Sequence, residues 1–369
     1  MLYYISYWAG ACGESSLMPF KSHVGPRVAL VFISVIFAVH LVAGNDVGLA
    51  AEQSFFYQGK VIRVVVGTAP GGGFDVYARA IARHWGKYIP GNPQIIIENQ
   101  PGAATLIAAK NVFQARPDGL TIGNFIADIA LGRLLNQPGV DFDFQKFEWI
   151  GVPVRDNIVC ALTKASGVST IEAWQASKTP VKLGGTGRLV ITDNAALVLK
   201  HVVRLPVQLV SGYTGTAPIR LAAESGELAG GCWQWESIKP TWRAGLQAGE
   251  VNIVVQLTAE PLPELPKVPL ALNLVQSDEA RKLIAASVQT TAPITRLYAV
   301  PPGTPKDRVR TLQKSFMDTM KDPEFLAEAK KSNLEIDPTS GEEAGKAIDS
   351  LFHLEPGLVA KMKTILLGD

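Results

Sequence analysis

The sequence predicts an α/β protein of two domains, each built on a mainly parallel sheet flanked by helices. Three observations carry this. Apolar β-branched runs alternate with helix-period patterns from residue 60 to about 125. The alternation restarts near residue 150. At 369 residues the chain is long enough for two cores.

The first block opens with VIRVVV (61–66), read as a strand, and GTAPGGGFDVYARAIARHW (67–85), read as a glycine loop and a helix over about 75–88. Val76, Ala80 and Trp85 share one face of that helix, and Arg79, Arg83 and Lys87 share another. PGNP (90–93) punctuates, QIIIE (94–98) is a strand, and NQPGA (99–103) leads into a helix to about 115. After the turn RPDG (116–119), LTIGNF (120–125) is a third strand. A β-α-β-α-β order places parallel strands side by side with helices on both faces.

In the second block IVCALT (158–163), VKLGG (181–185), VQLVSGY (207–213), ELAGGCWQWE (227–236) and VNIVVQL (251–257) are strands. STIE (169–172) has the Ser and Glu of a capping box. GTGR (185–188) is a second glycine loop before a helix, and TGTAPIRLAAESG (214–226) holds a loop and helix. The proline-rich AEPLPELPKVP (259–269) is a loop that marks a return between domains. Near the C-terminus TPKD (304–307) predicts a Thr304 N-cap with Pro305 at the first helical position, and Leu312, Phe316 and Met320 repeat every four residues as a buried helix face does.

Composition excludes several classes of function. A net charge of +2 with no Lys/Arg cluster argues against a nucleic-acid partner. No C-x-x-C or His/Cys ligand spacing exists, so no metal site is expected, and the five histidines are scattered. Near the N-terminus Lys21 and Arg27 precede the apolar run 28–44, and Gly48 and Ala50 supply small residues, which together read as a secretory signal peptide cleaved after Ala50. Met18 offers a conventional start for it. The chain is therefore expected to be exported. Cys160 and Cys232 remain in the exported chain; an oxidising compartment allows them to pair, but two cysteines are no disulfide framework.

The glycine loop raises the question of which anion it serves. Backbone N–H groups at a helix N-terminus attract anions. Gly71 and Gly73 begin a dinucleotide fingerprint, and Glu98 ends the next strand where a ribose-binding acid belongs, but the third glycine position is Val76. No Gly-Lys-Ser/Thr follows, so the loop is not a P-loop. No cofactor is expected. A small carboxylate fits better, because glycines admit its close approach and the helix supplies about half a positive charge.

Six segments in order carry a resemblance: PGGGFDVYARAIA (70–82), IIIENQPGAA (95–104), ARPDGLTIG (115–123), SGYTGTAPIRLAAESGEL (211–228), LPKVP (265–269) and AVPPGTPKDRV (299–309). The chain resembles the solute receptors of tripartite tricarboxylate transporters, also called the Bug family, over about 60–350. The resemblance implies a two-domain periplasmic binding protein of type II, a Venus flytrap that captures a small carboxylate and delivers it to a membrane transporter or, for some members, to a sensor kinase. It implies no catalysis. It carries the carboxylate grip onto Gly71, Gly72, Gly73, Phe74 and Asp75 in one domain and Gly185, Thr186, Gly187 and Arg188 in the other, with Tyr213, Thr214, Gly215 and Thr216 at the cleft floor. On this reading domain I comprises 60–150 and 256–369, domain II is the insert 151–255, and the protein is a monomer.

Two departures bear on the ligand. Phe74 stands where the family usually has Thr, removing a hydroxyl. Arg188 is free to pair with a second carboxylate. Trp233 and Trp235 alternate on a predicted strand and form an expected aromatic wall. Together they favour an aromatic or partly apolar carboxylate. An exported enzyme using the same cleft is the competing reading, but the chain has no G-x-S-x-G, no H-E-x-x-H and no recognisable titratable pair. Asp75 is expected to serve its helix start, and Glu98 to orient the NQPG turn.

Overall fold

The computed structural model describes residues 56–368; the signal peptide reading and Met18 lie outside the described residues. Along the chain come β1 (Val61–Val66), α1 (Gly73–Trp85), β2 (Gln94–Asn99), α2 (Leu106–Phe113), β3 (Thr121–Ile126), α3 (Ile129–Leu134) and β4 (Glu148–Val152). The chain then builds a second sheet from β5 (Ile158–Thr163), α4 (Ile171–Gln175), β6 (Val181–Gly184), α5 (Ile191–His201), β7 (Val207–Val210), α6 (Thr216–Glu224), β8 (Gly230–Gln234), α7 (Trp235–Thr241), α8 (Arg243–Gln247) and β9 (Val251–Gln256). It returns through α9 (Asp278–Ile284) to β10 (Arg296–Val300), α10 (Lys306–Thr319), α11 (Pro323–Lys331), β11 (Thr339–Ser340), α12 (Gly341–Leu351) and α13 (Pro356–Leu367).

The two sheets share one plan. The first runs β11-β4-β10-β3-β1-β2 and the second β7-β6-β8-β5-β9. In each, three neighbouring strands are parallel, a fourth enters antiparallel (β10 or β5), and a fifth follows it in the original direction (β4 or β9). The antiparallel strand is the first one the chain lays down after crossing from the other sheet, at 153–157 and again after β9. The sheets are therefore mixed, with β5, β10 and the two-residue β11 running against the rest.

Packing follows the apolar pattern. Ile62, Val64 and Val66 on β1 meet Tyr77, Ile81 and Trp85 on α1, and Leu312, Phe316 and Met320 on α10 close the same core. Trp85 is fully buried, and its indole N–H donates to Ser315 Oγ at 2.9 Å. Truncating Phe316 to Ala would cost about 3–5 kcal/mol. Arg79, Arg83 and Lys87 on the opposite face pair with Asp75, Glu328 and both Asp322 and Glu324. Within 256–369, β10 and α10 to α12 pack on the first sheet and α1, whereas α13 packs on α5 of the second sheet. Among the described residues no helix is long and apolar enough to cross a membrane.

Several local expectations shift by a residue or two. Thr170, not Ser169, caps α4 by accepting from Ala173 N–H at 3.2 Å, because Ser169 precedes the turn. A capping box does form at Ser340 and Glu343. Pro305 is the N-cap of α10, and the Thr304 hydroxyl instead donates to Pro301 O at 2.8 Å. β8 ends at Gln234, so Trp235 opens α7 and does not share a strand with Trp233. Cys160 and Cys232, opposite each other in register across β5 and β8, are joined in a disulfide.

Candidate functional site

Loops at the C-terminal ends of β1, β2, β6 and β7 converge on one cavity of about 410 Å³ between the two sheets. Open α/β sheets bind ligands at that edge. Four helices begin there: Phe74 of α1, Leu106 of α2, Ile191 and Thr192 of α5, and Thr216 of α6 all line the cavity. None of the four has a side chain capping its first turn, in contrast to Thr170, Ser277, Asp322 and Ser340 elsewhere. The first N–H groups of an uncapped helix have no intrahelical acceptor and carry partial positive charge.

Of the residues the sequence singles out, Phe74, Thr186, Gly187, Arg188, Tyr213, Thr214, Gly215 and Thr216 line the cavity. Gly71, Gly72, Gly73, Asp75, Gly185, Trp233 and Trp235 do not, and each has a visible reason. Gly71 N–H donates to Asp75 Oδ2 at 2.9 Å. Gly72 and Gly73 press against the other domain: a Cβ on Gly73 would lie 2.0 Å from Ser237 Oγ, and one on Gly72 would lie 3.1 Å from Thr216 Oγ1. Gly185 sits over Asp193, where a Cβ would be 2.1 Å from its carboxylate. Trp233 is fully buried and stacks on Trp242 at 5.6 Å, and the Trp235 indole N–H donates to Glu264. The expected aromatic wall is therefore absent: one tryptophan is spent on the domain core and the other on a loop contact.

Asp75 and Asp193 occupy the third position of α1 and α5 and hold their loops in the same way. Asp193 Oδ1 accepts from Gly187 N–H at 3.0 Å, as Asp75 does from Gly71. Burial works to raise both carboxyls. Bonds from Arg79, Gly71 and Asn99 nevertheless hold Asp75 below the usual carboxylate range. Asp193 has only neutral donors, Ser211, Gly187, Thr192 and the Thr186 backbone, and burial keeps it above that range. Asp75 thus holds the loop rather than acting as a base. Glu98 pairs with Arg63 at 3.3 Å and accepts from the Gln100 side chain at 2.6 Å, which orients the turn that follows.

Arg188 is the one charged side chain among the described residues that line the cavity, and it is exposed and pairs with no acid there. The two domains touch on either side: Ala69 N–H donates to Thr214 O at 3.0 Å, and Ala104 lies against Gly187. A family model for the tripartite tricarboxylate transporter family receptor matches residues 78–352. The chain belongs to that receptor family. The family is one of solute receptors, not of enzymes, and it implies a periplasmic location.

A curated relative, the UPF0065 protein in the gbd 5' region of Cupriavidus necator, is 23% identical over 300 residues, which is 78% of this chain and 84% of that one. Structures of similar fold include the periplasmic binding protein BugD, with a TM-score of 0.66 and 21% identity over 84% of this chain and 98% of that one. Another is MatC from Rhodopseudomonas palustris with bound malate, with a TM-score of 0.65 and 19% identity over 83% and 99%.

Sequence reasoning missed one whole wall of this receptor's cavity. Gly102, Ala103, Ala104, Thr105 and Leu106, in the loop after β2, line it together with Gln137 and Pro138. Ala103, Ala104 and Thr105 have φ of 43°, 55° and 70°, three successive left-handed residues without a glycine among them. Such strain, of order 1–3 kcal/mol per residue, collects at ligand sites. The signal was present: NQPGAA follows a strand at the same sheet edge as the first glycine loop.

Proposed function

We propose that this receptor captures a small, partly apolar dicarboxylate without an ammonium group and presents it, as a monomer in the closed form, to a tripartite tricarboxylate-type membrane transporter. The observation that carries the reading is the charge pattern of the cavity. One arginine and four uncapped helix starts supply positive potential, and no acid lines the cavity among the described residues to hold an amine. Thr68, Thr105, Thr186 and Thr216 offer hydroxyls for one carboxylate, and Arg188 suits the other. Phe74, Leu106, Ile126 and Ile191 give the remaining wall an apolar character that suits a methylene chain. The malate bound by MatC is consistent with this class.

Calorimetric titration of the purified protein with malate, adipate, aspartate and benzoate tests the reading. Binding of a dicarboxylate at least about tenfold tighter than aspartate is expected, since an unpaired buried ammonium is costly. Binding of a nucleotide with no response to any carboxylate would overturn it. Uptake of the bound dicarboxylate by vesicles holding the transporter, dependent on added receptor, tests the partner.

A further inference from the structure

Behind the cavity, a group of charged side chains meets where the chain crosses between the sheets. Asp156 lies on the first crossing, Arg296 opens β10 after the second, and Glu236 and Ser237 form the first turn of α7. All four are at least 97% buried. Arg296 binds Asp156 through Nε at 2.9 Å and Nη2 at 3.0 Å, and Nη2 also donates to Ser237 Oγ at 2.6 Å. Its guanidinium lies over the rings of Phe74 and Tyr77 on α1, 4.9 and 4.4 Å from their centres. Glu236 accepts from the backbone and side-chain N–H groups of Asn157, both at 2.8 Å.

The charges do not balance. Two carboxyls share one guanidinium, and a second buried negative charge without a cation costs several kcal/mol. Burial and then the neighbouring Asp156 push Glu236 up to about 8. Burial also raises Asp156, against the pull of Arg296. The other charged groups on this side do not supply a counter-ion. Lys239, on the next turn of α7, is held by Glu335 at 2.7 Å and Glu264 at 3.0 Å, and Lys330 lies beyond them in the same groove. From α1 the rings of Phe74 and Tyr77 face the cluster, and of these only Tyr77 is titratable, neutral, with its hydroxyl donating to Glu335 O.

α1 meets α7 directly, Gly73 against Ser237, across the two domains. Opening about the two crossings would part that contact at the first turn of α7, beside Glu236, which also borders the groove of Lys239 and Glu264. We propose that Glu236 is a proton latch: it holds a proton while the domains are closed and releases it when they open, so that ligand capture takes up a proton. This rests on the receptor reading above. The sign follows from the raised closed-state carboxyl. Closure is favoured while Glu236 is protonated in both states, and that advantage is lost as pH rises through the closed-state value.

Two measurements decide it. The Cβ position on Gly72 lies 3.1 Å from Thr216 Oγ1, a spacing that suits a cross-link, so Gly72→Cys/Thr216→Cys holds the domains shut when oxidised. Infrared difference spectra against the same variant carrying Glu236→Gln should show a protonated carboxyl at pH 7 in the locked form and a carboxylate after reduction. A carboxylate in the locked form overturns the latch. Calorimetry with adipate should give binding about tenfold weaker at pH 8 than at pH 6, with less than about twofold change in Glu236→Gln. Equal pH slopes in the two proteins overturn it as well. If neither adipate nor malate binds at any pH, the receptor reading falls, and the locked-form spectrum still decides the latch.

Discussion

The loop after β1 and the loop after β6 are built alike and used differently. Each follows the first strand of its three-stranded parallel core, and each is held by an acid at the third position of the next helix. The first loop carries three glycines in a row, and two of them are consumed in contact with the other domain. It reaches the ligand space only through its flanks, Gly67, Thr68 and Phe74. The second loop leaves Thr186, Gly187 and Arg188 open on the cavity. The same strand–glycine–helix pattern therefore makes a contact surface for closure in one domain and a cationic wall in the other.

The largest effect should come from breaking the first loop's closure role. Gly73→Ala places a methyl group 2.0 Å from Ser237 Oγ across the domain contact, a clash that parting the domains would relieve. Overpacking costs of about 1–3 kcal/mol translate into dicarboxylate binding about tenfold to a hundredfold weaker, measured by calorimetry. The melting temperature of the ligand-free protein should move by less than about 2 °C. Restoration of binding by Ser237→Gly in the same chain would tie the loss to this contact.

The second loop predicts a different signature. Arg188→Gln should weaken a dicarboxylate about fivefold to tenfold and a monocarboxylate less than about twofold, since an exposed cation pair contributes about 1 kcal/mol. Equal losses for both ligands would remove Arg188 from the second carboxylate.

The two acids should respond to pH with opposite slopes. Asp75, held low, stabilises the fold above the ordinary carboxylate range and loses that contribution as pH falls through its own lowered value. Asp193, held high, favours the fold at low pH and loses that contribution as pH rises through its raised value. Asp75→Asn should therefore lower the melting temperature at pH 7 by about 2–4 °C, with the deficit closing in acid. The deficit of Asp193→Asn should instead be greatest in acid and shrink toward pH 7. Parallel pH profiles would show that the Arg79 bond does not distinguish the loops.

Phe74→Thr should give the smallest change. A hydroxyl at this position adds a donor to the cavity and removes part of its apolar wall. A shift of about threefold in preference from adipate toward malate is expected, read from the ratio of the two affinities. A ratio that stays constant would mean that Phe74 serves the Arg296 cluster alone.

Much of the fold was legible in the chain because it rests on local periodicity. β1, β5 and β9 begin and end within about a residue of where their apolar runs do, and the buried stripe Leu312, Phe316, Met320 is where the four-residue spacing puts it. Element ends were less legible. Trp235 belongs to α7 because the chain turns after Gln234, and an alternating W-x-W reads the same on a strand or across its end.

What the sequence determined by itself is the list of parts: two alternating blocks, glycine loops at strand ends, and the family motifs in order. These depend on residues near one another in the chain. Tertiary structure alone decided which parts face the ligand. Gly73 is a domain contact because Ser237, 164 positions later, sits against it, and Arg188 lines the cavity opposite Ala104 for the same kind of reason. The buried Arg296, Asp156 and Glu236 come from three separate stretches, and only the crossing of the chain between two sheets brings one cation and two acids together out of water. The charge of that cluster, and with it any proton held there, is a property of burial, which no local pattern records.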